Sequence, residues 1–380
     1  SKRISKSSSS LANPLSPPLR ATAEEGEPAI VAATVAVQHL VALFSVSGNV
    51  RGMSHWILTG GCGFIGSNFV RLALAQRPDL TITNIDLLTY AGNRESLRDV
   101  EQAAGDRYRF VQADIADAAA MASVFEAYDA APDAVINFAA ESHVDRSITD
   151  PGSFIRTNIV GTANLLEWAR AKAVPRFLQV STDEVYGSLG AEGLFTEESP
   201  IQPNSPYSAS KASADLLARA AFHTFGQNVV VTRCSNNYGP YQFPEKLIPL
   251  MIVNAMRDRK LPVYGDGKNV RDWIHVEDHC EAIMRVLDAG AAGEVYNIGS
   301  DNEWENIAIV KEILRAVGKP ESLIEYVTDR PGHDRRYAID SSRMANELGW
   351  RAKRGFTDGL QQTVQWFQNN EAWWQPLLTK

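Results

Sequence analysis

Thr59-Gly60-Gly61-Cys62-Gly63-Phe64-Ile65-Gly66, residues 59–66, stands between a short β-prone run at 56–59 and an amphipathic helical pattern over 67–76. Gly61, Gly63 and Gly66 match G-x-G-x-x-G between a strand and a helix. That spacing serves three needs at once: a tight turn, close approach of backbone to a pyrophosphate, and helix packing against the strand. The bare motif is weak evidence, and its neighbours strengthen it. Asp86 closes the next strand-like run, 81–86, twenty positions after Gly66. A carboxylate there is placed to hydrogen-bond an adenosine ribose and to repel a 2′-phosphate, which favours NAD over NADP.

Outward from this unit, short apolar runs alternate with helical patterns. Strand-like runs are read at 108–112, 134–138 and 176–182, and helix-like ones at 95–104, 118–128 and 154–171. This βαβ rhythm predicts an α/β fold, a doubly wound, mostly parallel Rossmann sheet with a smaller C-terminal substrate-binding lobe. Beyond Tyr238 the rhythm loosens at Pro240, Pro244, Pro249 and Pro262. The expected division is 1–52 as a poorly ordered extension, 53–239 as the NAD-binding domain, and 240–380 as mainly the substrate lobe. Runs 229–233 and 295–298 are expected to return to the main sheet. The extension holds a serine run at 7–10 and an apolar stretch at 30–46, interrupted by Gln38 and His39 and short for a membrane span. A targeting peptide is the other reading of that start.

Composition narrows the function. The chain has 380 residues, a formal net charge of -8, 44% hydrophobic and 22% charged residues, an ordinary soluble make-up with no overall basic field for nucleic acid and no expected membrane partner. Cys62, Cys234 and Cys280 form no CxxC pair, so a reducing, cytoplasmic setting is expected. Asp114, Ile115, Ala139 and Ala140 fall at strand ends where a dinucleotide would lie, although a strand-end Asp also serves as a helix cap. His275 and His279 have a zinc-like i, i+4 spacing, but no metal is expected. Trp366, Trp373 and Trp374 are read as packing a terminal helix, with an oligomer contact as the alternative. Tyr207 and Lys211 share one helical face, and the nearby ammonium is expected to lower the tyrosine pKa enough for it to act as a base.

The glycine cluster together with Tyr207-x-x-x-Lys211 resembles the extended short-chain dehydrogenase/reductase family. Within it, Ser181-Thr182-Asp183-Glu184-Val185-Tyr186-Gly187 resembles the sugar-nucleotide dehydratase branch. Matching stretches continue at 139–147, 245–249, 271–273 and 330–337, so the likeness spans about 53–350. Cys62 stands where such enzymes often carry a small residue such as Ala. The resemblance implies transient hydride transfer to NAD and loss of water from a nucleotide-diphosphate glucose. Tyr207 would be the base at carbon four with Lys211 beside it, Thr182 would hold the same hydroxyl, Glu184 would be the base at carbon five, and Asp183 the acid at carbon six. It further implies Gly60, Gly63, Phe64, Ile65, Gly66, Asp86, Asp114, Ile115, Ala139, Ala140 and Thr157, with Tyr207 and Lys211, around NAD. Lys246, Arg271 and Arg330 are assigned to the nucleotide diphosphate, since phosphate recognition favours Arg and Lys, and the resemblance adds Ser142, His143, Thr182, Asn236, Asn306 and His333 around the substrate. Each cation singly also fits a surface charge. Thymidine is the base favoured by resemblance, uridine versions share much of the pattern, and a homodimer is the family expectation. The nearest rival, a UDP-sugar 4-epimerase, needs the Tyr–Lys pair but has no use for Asp183 and Glu184. A nucleotide-glucuronate decarboxylase and a non-catalytic NAD sensor are more distant alternatives.

Overall fold

The structure, a computed structural model, describes residues 54–329 and 333–379. The expected extension, 1–52, and the candidate phosphate ligand Arg330 lie outside the described residues. The described chain builds a seven-stranded sheet from β1 (Ser54–Thr59), β2 (Leu80–Asp86), β3 (Tyr108–Gln112), β4 (Ala134–Asn137), β5 (Phe177–Thr182), β6 (Val229–Cys234) and β10 (Val295–Ile298), in the order β10-β6-β5-β4-β1-β2-β3. Every neighbouring pair is parallel. Strands covered on both faces are built from near-continuous apolar runs, and Trp56-Ile57-Leu58 and Phe177-Leu178 are such runs. The expected returns of 229–233 and 295–298 to this sheet are found.

Helices α1 (Phe64–Gln76), α2 (Thr162–Ala171), α3 (Pro206–Phe225) and α4 (Val276–Ala289) cover the sheet. One face packs Trp56, Leu58 and Ile136 against Phe69 and Val70 of α1 and Ile283 and Val286 of α4. The other packs Ile57, Val135 and Phe177 against Leu165 of α2 and Ala218 of α3. The strand order reverses between β1 and β4, which opens a crevice at their carboxyl ends. A buried polar ladder fixes the register beneath it. Thr59 Oγ1 donates to Asn137 Oδ1 at 2.6 Å, and Asn137 Nδ2 donates to Gln179 Oε1 at 2.8 Å.

The second lobe centres on a four-stranded sheet in which β9 (Val270–His275) pairs with β7 (Asn236–Tyr238), β11 (Glu303–Glu305) and β13 (Arg336–Tyr337). A two-stranded sheet, β8 (Leu261–Tyr264) with β12 (Ile324–Val327), lies beside it. Its core gathers Ile248, Met251, Trp273, Ile309, Phe356 and Trp374. Trp374 is fully buried and donates Nε1 to Phe367 O, while Trp373 donates Nε1 to Ser96 Oγ in the first lobe. These tryptophans pack the C-terminal segment. β7 begins at Asn236, ahead of the expected boundary at 239/240, and α4 and β10, well beyond it, serve the first sheet.

One expected element is altered. The run 154–171, read as a single helix, contains a π-helical stretch at Ile155–Gly161 before α2. Two contacts account for it. A Cβ at Gly161 would meet Ile115 Cγ1 at 2.5 Å. Asn158, almost fully buried, spends its carboxamide on Glu141, whose N–H it accepts and whose carbonyl it donates to, and on Ser210 Oγ. Such single-turn expansions buy side-chain placement at the expense of helical regularity.

Candidate active site

The crevice is built from the glycine turn upward. β1 ends at Thr59, and Gly60 turns the chain with φ +71. A Cβ there would stand 2.5 Å from the Ala139 nitrogen, and one at Gly66 would stand 2.3 Å from Gly60 O. Both positions therefore need glycine. Helix α1 starts after Gly63 with no side-chain cap, so its first N–H groups are free to meet an anion. Asn84 steadies the turn by accepting Gly61 N–H at 2.9 Å and donating to Tyr108 OH. Asp86, at the end of β2, accepts from Cys62 N–H and Leu88 N–H at 2.9 and 2.8 Å. Burial holds the Asp86 carboxyl above its usual range, against those two bonds. Ribose hydroxyl donors would relieve that cost. The uncapped helix end, the obligatory glycines and the strand-end carboxylate fit a dinucleotide with an unmodified ribose.

At the far wall, β5 delivers Thr182 to a short turn, Asp183–Tyr186. Thr182 Oγ1 accepts from Glu184 N–H at 3.3 Å and donates to Asp183 Oδ1 at 3.3 Å. Asp183 is 1% exposed and its Oδ2 has no hydrogen-bond partner among the described residues. Burial first, then the Glu184 carboxylate, pushes the Asp183 carboxyl well above its usual range. That shift favours the protonated form beside a second carboxylate, an arrangement in which a pair can divide acid and base work. Facing the turn is α3, begun by Pro206 and a Ser205–Ser208 capping box. Tyr207 lies in its first turn, with its phenol beside Thr182. Lys211, one turn on, is buried and donates to Val180 O at 2.7 Å.

The electrostatic expectation for Tyr207 is corrected here. Its phenol is pushed well up, by burial first and then by the Glu184 carboxylate. The Lys211 ammonium is turned to the β5 backbone, where it meets Val180 O, and is itself pushed down by burial.

Most of the expected residues converge. Gly60, Gly63, Phe64, Ile65, Gly66, Asp86, Asp114, Ile115, Ala139, Ala140, Ser142, Thr157, Thr182, Asp183, Glu184, Tyr207, Lys211, Asn236 and Lys246 line one continuous cleft. Asp114 does double duty, accepting Ala116 N–H and pairing with Arg156 at 2.7 Å. Lys246 reaches across the lobes to Ser142 O at 2.8 Å. Four described residues lie off the lining. His143 caps the segment Val144–Thr149 and stands 3.7 Å from Glu245. Arg271 is buried, donating to Val270 O and Asp334 O at 2.7 and 2.8 Å, with its guanidinium 4.2 Å from the Tyr337 ring. Asn306 opens a helix with Oδ1 buried, and His333 Nδ1 meets Asp329 at 2.6 Å.

Sequence reasoning passed over Thr89, Ala91 and Gly92, which close the glycine end, and Cys234, Asn237 and Gln242, which floor the other. The only available signal for the first group is its place just after Asp86. For the second it is the polar run that follows β6. His279 is fully buried, bonds Asn237 Oδ1 through Nδ1 at 2.8 Å, and is pushed down to about 3 by burial. Among the described residues no group of three or more His, Cys, Asp or Glu could hold a metal ion, and no helix is long and apolar enough to cross a membrane.

Comparison with known proteins adds to this geometry. The model of the GDP-mannose 4,6 dehydratase family matches residues 57–363. The chain is 54% identical over 344 residues to a dTDP-glucose 4,6-dehydratase of Xanthomonas campestris pv. campestris, covering 86% of this chain and 96% of the relative. It is 50% identical over 351 residues to a dTDP-glucose 4,6-dehydratase of Escherichia coli, covering 85% and 96%. Among solved structures, a dTDP-glucose 4,6-dehydratase of Bacillus anthracis in complex with NAD superposes with a TM-score of 0.79 at 51% identity, covering 85% of this chain and 99% of that one. A UDP-glucose 4-epimerase of Thermotoga maritima shares the fold at a TM-score of 0.77 but only 27% identity, covering 83% and 99%.

Proposed function

The chain belongs to the GDP-mannose 4,6 dehydratase family and, within it, to the dTDP-glucose 4,6-dehydratases, and on that premise we propose that it converts dTDP-glucose to dTDP-4-keto-6-deoxyglucose as an NAD-dependent hydro-lyase. Held at the glycine turn and Asp86, NAD would supply the hydride acceptor for carbon four of the sugar and the hydride donor for carbon six. The rest falls to the protein. Tyr207 removes the proton of the C4 hydroxyl, and Thr182 holds that hydroxyl beside it. The C4 ketone acidifies the hydrogen on carbon five, which Glu184 removes. Asp183, kept protonated by burial and by Glu184, donates its proton to the C6 hydroxyl, which departs as water. Lys211 stands one turn from Tyr207 in the same cleft, its ammonium anchored on Val180 O. Ser142, Asn236 and Lys246 meet the sugar and the diphosphate, Arg271, Asn306 and His333 serve the nucleotide from the second lobe, His143 serves it from the segment after β4, and Arg330 is assigned to the diphosphate by residue type.

One observation carries the reading. The two acids stand in the same cleft wall as Tyr207, where an epimerase, which only re-reduces its ketone, would have no work for them. Incubation with dTDP-glucose and UDP-glucose separately tests it. Water loss and a 4-keto product from dTDP-glucose are expected, and absence of water loss from both, or a C4-epimerised sugar, overturns it.

The glycine turn gives a prediction of its own. Gly66→Ala pushes a methyl group into Gly60 O, so NAD affinity by calorimetric titration should fall about tenfold or more as the turn shifts. Three buried, unpaired cysteines suit a reducing compartment, the cytoplasm. The enzyme pairs as a homodimer. Ile155, Val160 and Leu216 are 52%, 43% and 55% exposed on the π-helical stretch and on α3, two elements that pack together, and a second copy would cover them. Leu216→Glu should shift the sedimentation of the dimer to that of a monomer.

A further inference from the structure

Behind the cleft lies a buried ionic chain to which the reaction assigns no task. Asp215 follows Tyr207 and Lys211 on α3 at the same four-residue spacing, so the three share one face. It is 3% exposed. Its Oδ2 accepts from Arg233 Nε at 2.9 Å, and its Oδ1 has no hydrogen-bond partner among the described residues. Arg233, on β6 and also buried, donates through Nη1 to Tyr186 OH at 3.0 Å, with its guanidinium 4.8 Å from that ring. Tyr186 OH in turn donates to Asn297 Oδ1 on β10 at 2.8 Å. Tyr186 ends the same short turn that Asp183 and Glu184 begin.

A buried ion pair is a poor way to stabilise a core, since apolar residues of similar volume often do as well or better. This one sits where it joins the two reacting elements. We propose that Asp215, Arg233 and Tyr186 are positioning residues, a buried clasp that fixes the turn carrying Asp183 and Glu184 against the helix carrying Tyr207 and Lys211. The inference rests on the dehydratase reading of those four groups. The need is geometric. Proton removal at carbon four and elimination across carbons five and six act on one sugar ring, and misplacement of one set by about 1 Å can cost about 100-fold in rate. Asp215 has a second effect on the same face. Burial pushes the Lys211 ammonium down, and the Asp215 carboxylate opposes that push.

Tyr186→Phe deletes only the hydroxyl that links the turn to Arg233, and Arg233→Lys keeps the charge but loses one arm of the bridge. Both should lower kcat about tenfold or more while KM changes less than about twofold, and the crystal structure of Tyr186→Phe should show the 183–186 turn displaced from α3. An unmoved turn overturns the clasp, and so does a moved turn with the parental kcat. Should Arg233→Lys fail to fold, Tyr186→Phe, which changes no volume of consequence, carries the test alone. Failure of the unmutated protein to dehydrate dTDP-glucose would sink the functional reading, and the position of the turn in the variant would then decide the clasp by itself.

Discussion

Tyr207→Phe is expected to lower kcat by about 10²–10⁴-fold, the usual contribution of a positioned general base, while dTDP-glucose still binds. The ring stays packed edge-on to Phe154, 6.3 Å between centroids, so the loss falls on chemistry and not on folding. The pH profile carries a sharper form of the prediction. Burial and the Glu184 carboxylate push the phenol up in the protein alone. A group held protonated in this way is a base only once it ionises, so kcat/KM should climb with pH through that ionisation. The phenylalanine variant should lack the climb. Steady-state rates across a pH series check both points, and an unchanged alkaline rise in the variant would show that another group takes the C4 proton.

Asp183→Asn should separate the two halves of the reaction. Oxidation at carbon four needs no acid at 183, whereas departure of the C6 hydroxyl does. Water loss should therefore slow by about 100-fold or more, with hydrated nucleotide sugar persisting in the mass spectrum. The unmutated enzyme should lose kcat as pH rises through the raised Asp183 ionisation, because only the protonated acid donates, and the variant should lack that limb. The variant's stability should move opposite to its activity. The folded-state carboxyl is raised above the ordinary aspartate value of 3.8, so between that value and the folded one the native state holds the extra proton, and stability falls as pH rises across the window. Asparagine has no such penalty. The variant should melt higher than the parent at pH 7, with the gain vanishing as pH drops below about 4. A lower melting temperature at pH 7 would show that Asp183 is not a strained, buried acid.

Much of this architecture was legible because its causes are local. Parallel strands buried on both faces must be apolar throughout, so Ile57, Leu58, Val135 and Leu178 announced themselves. The glycine turn was legible because a Cβ at Gly60 or Gly66 has nowhere to go. What escaped depends on distant neighbours. The π-helical stretch answers to Ile115 and Glu141, far from it in the chain and invisible to helical periodicity. The ionisation of Tyr207 was anticipated from Lys211, one turn away, and is governed by burial and by Glu184 on another element. Arg271 reads as a free phosphate ligand from residue type alone, yet it bonds the main chain of 334 and stacks on Tyr337. The second lobe, woven from strands of two to six residues, offers too few periods for a pattern to declare itself.

The return of α4 and β10 to the first sheet has a consequence for biosynthesis. A nascent polypeptide emerging from the ribosome through residue 240 already carries the whole dinucleotide turn. It still lacks the helix that shields Trp56, Phe69 and Val70 and the strand that caps the β6 edge. Until about residue 298 has left the exit tunnel, that oily surface and open edge invite chaperones or self-association. Maturation of the NAD half must wait for translation well into the other half.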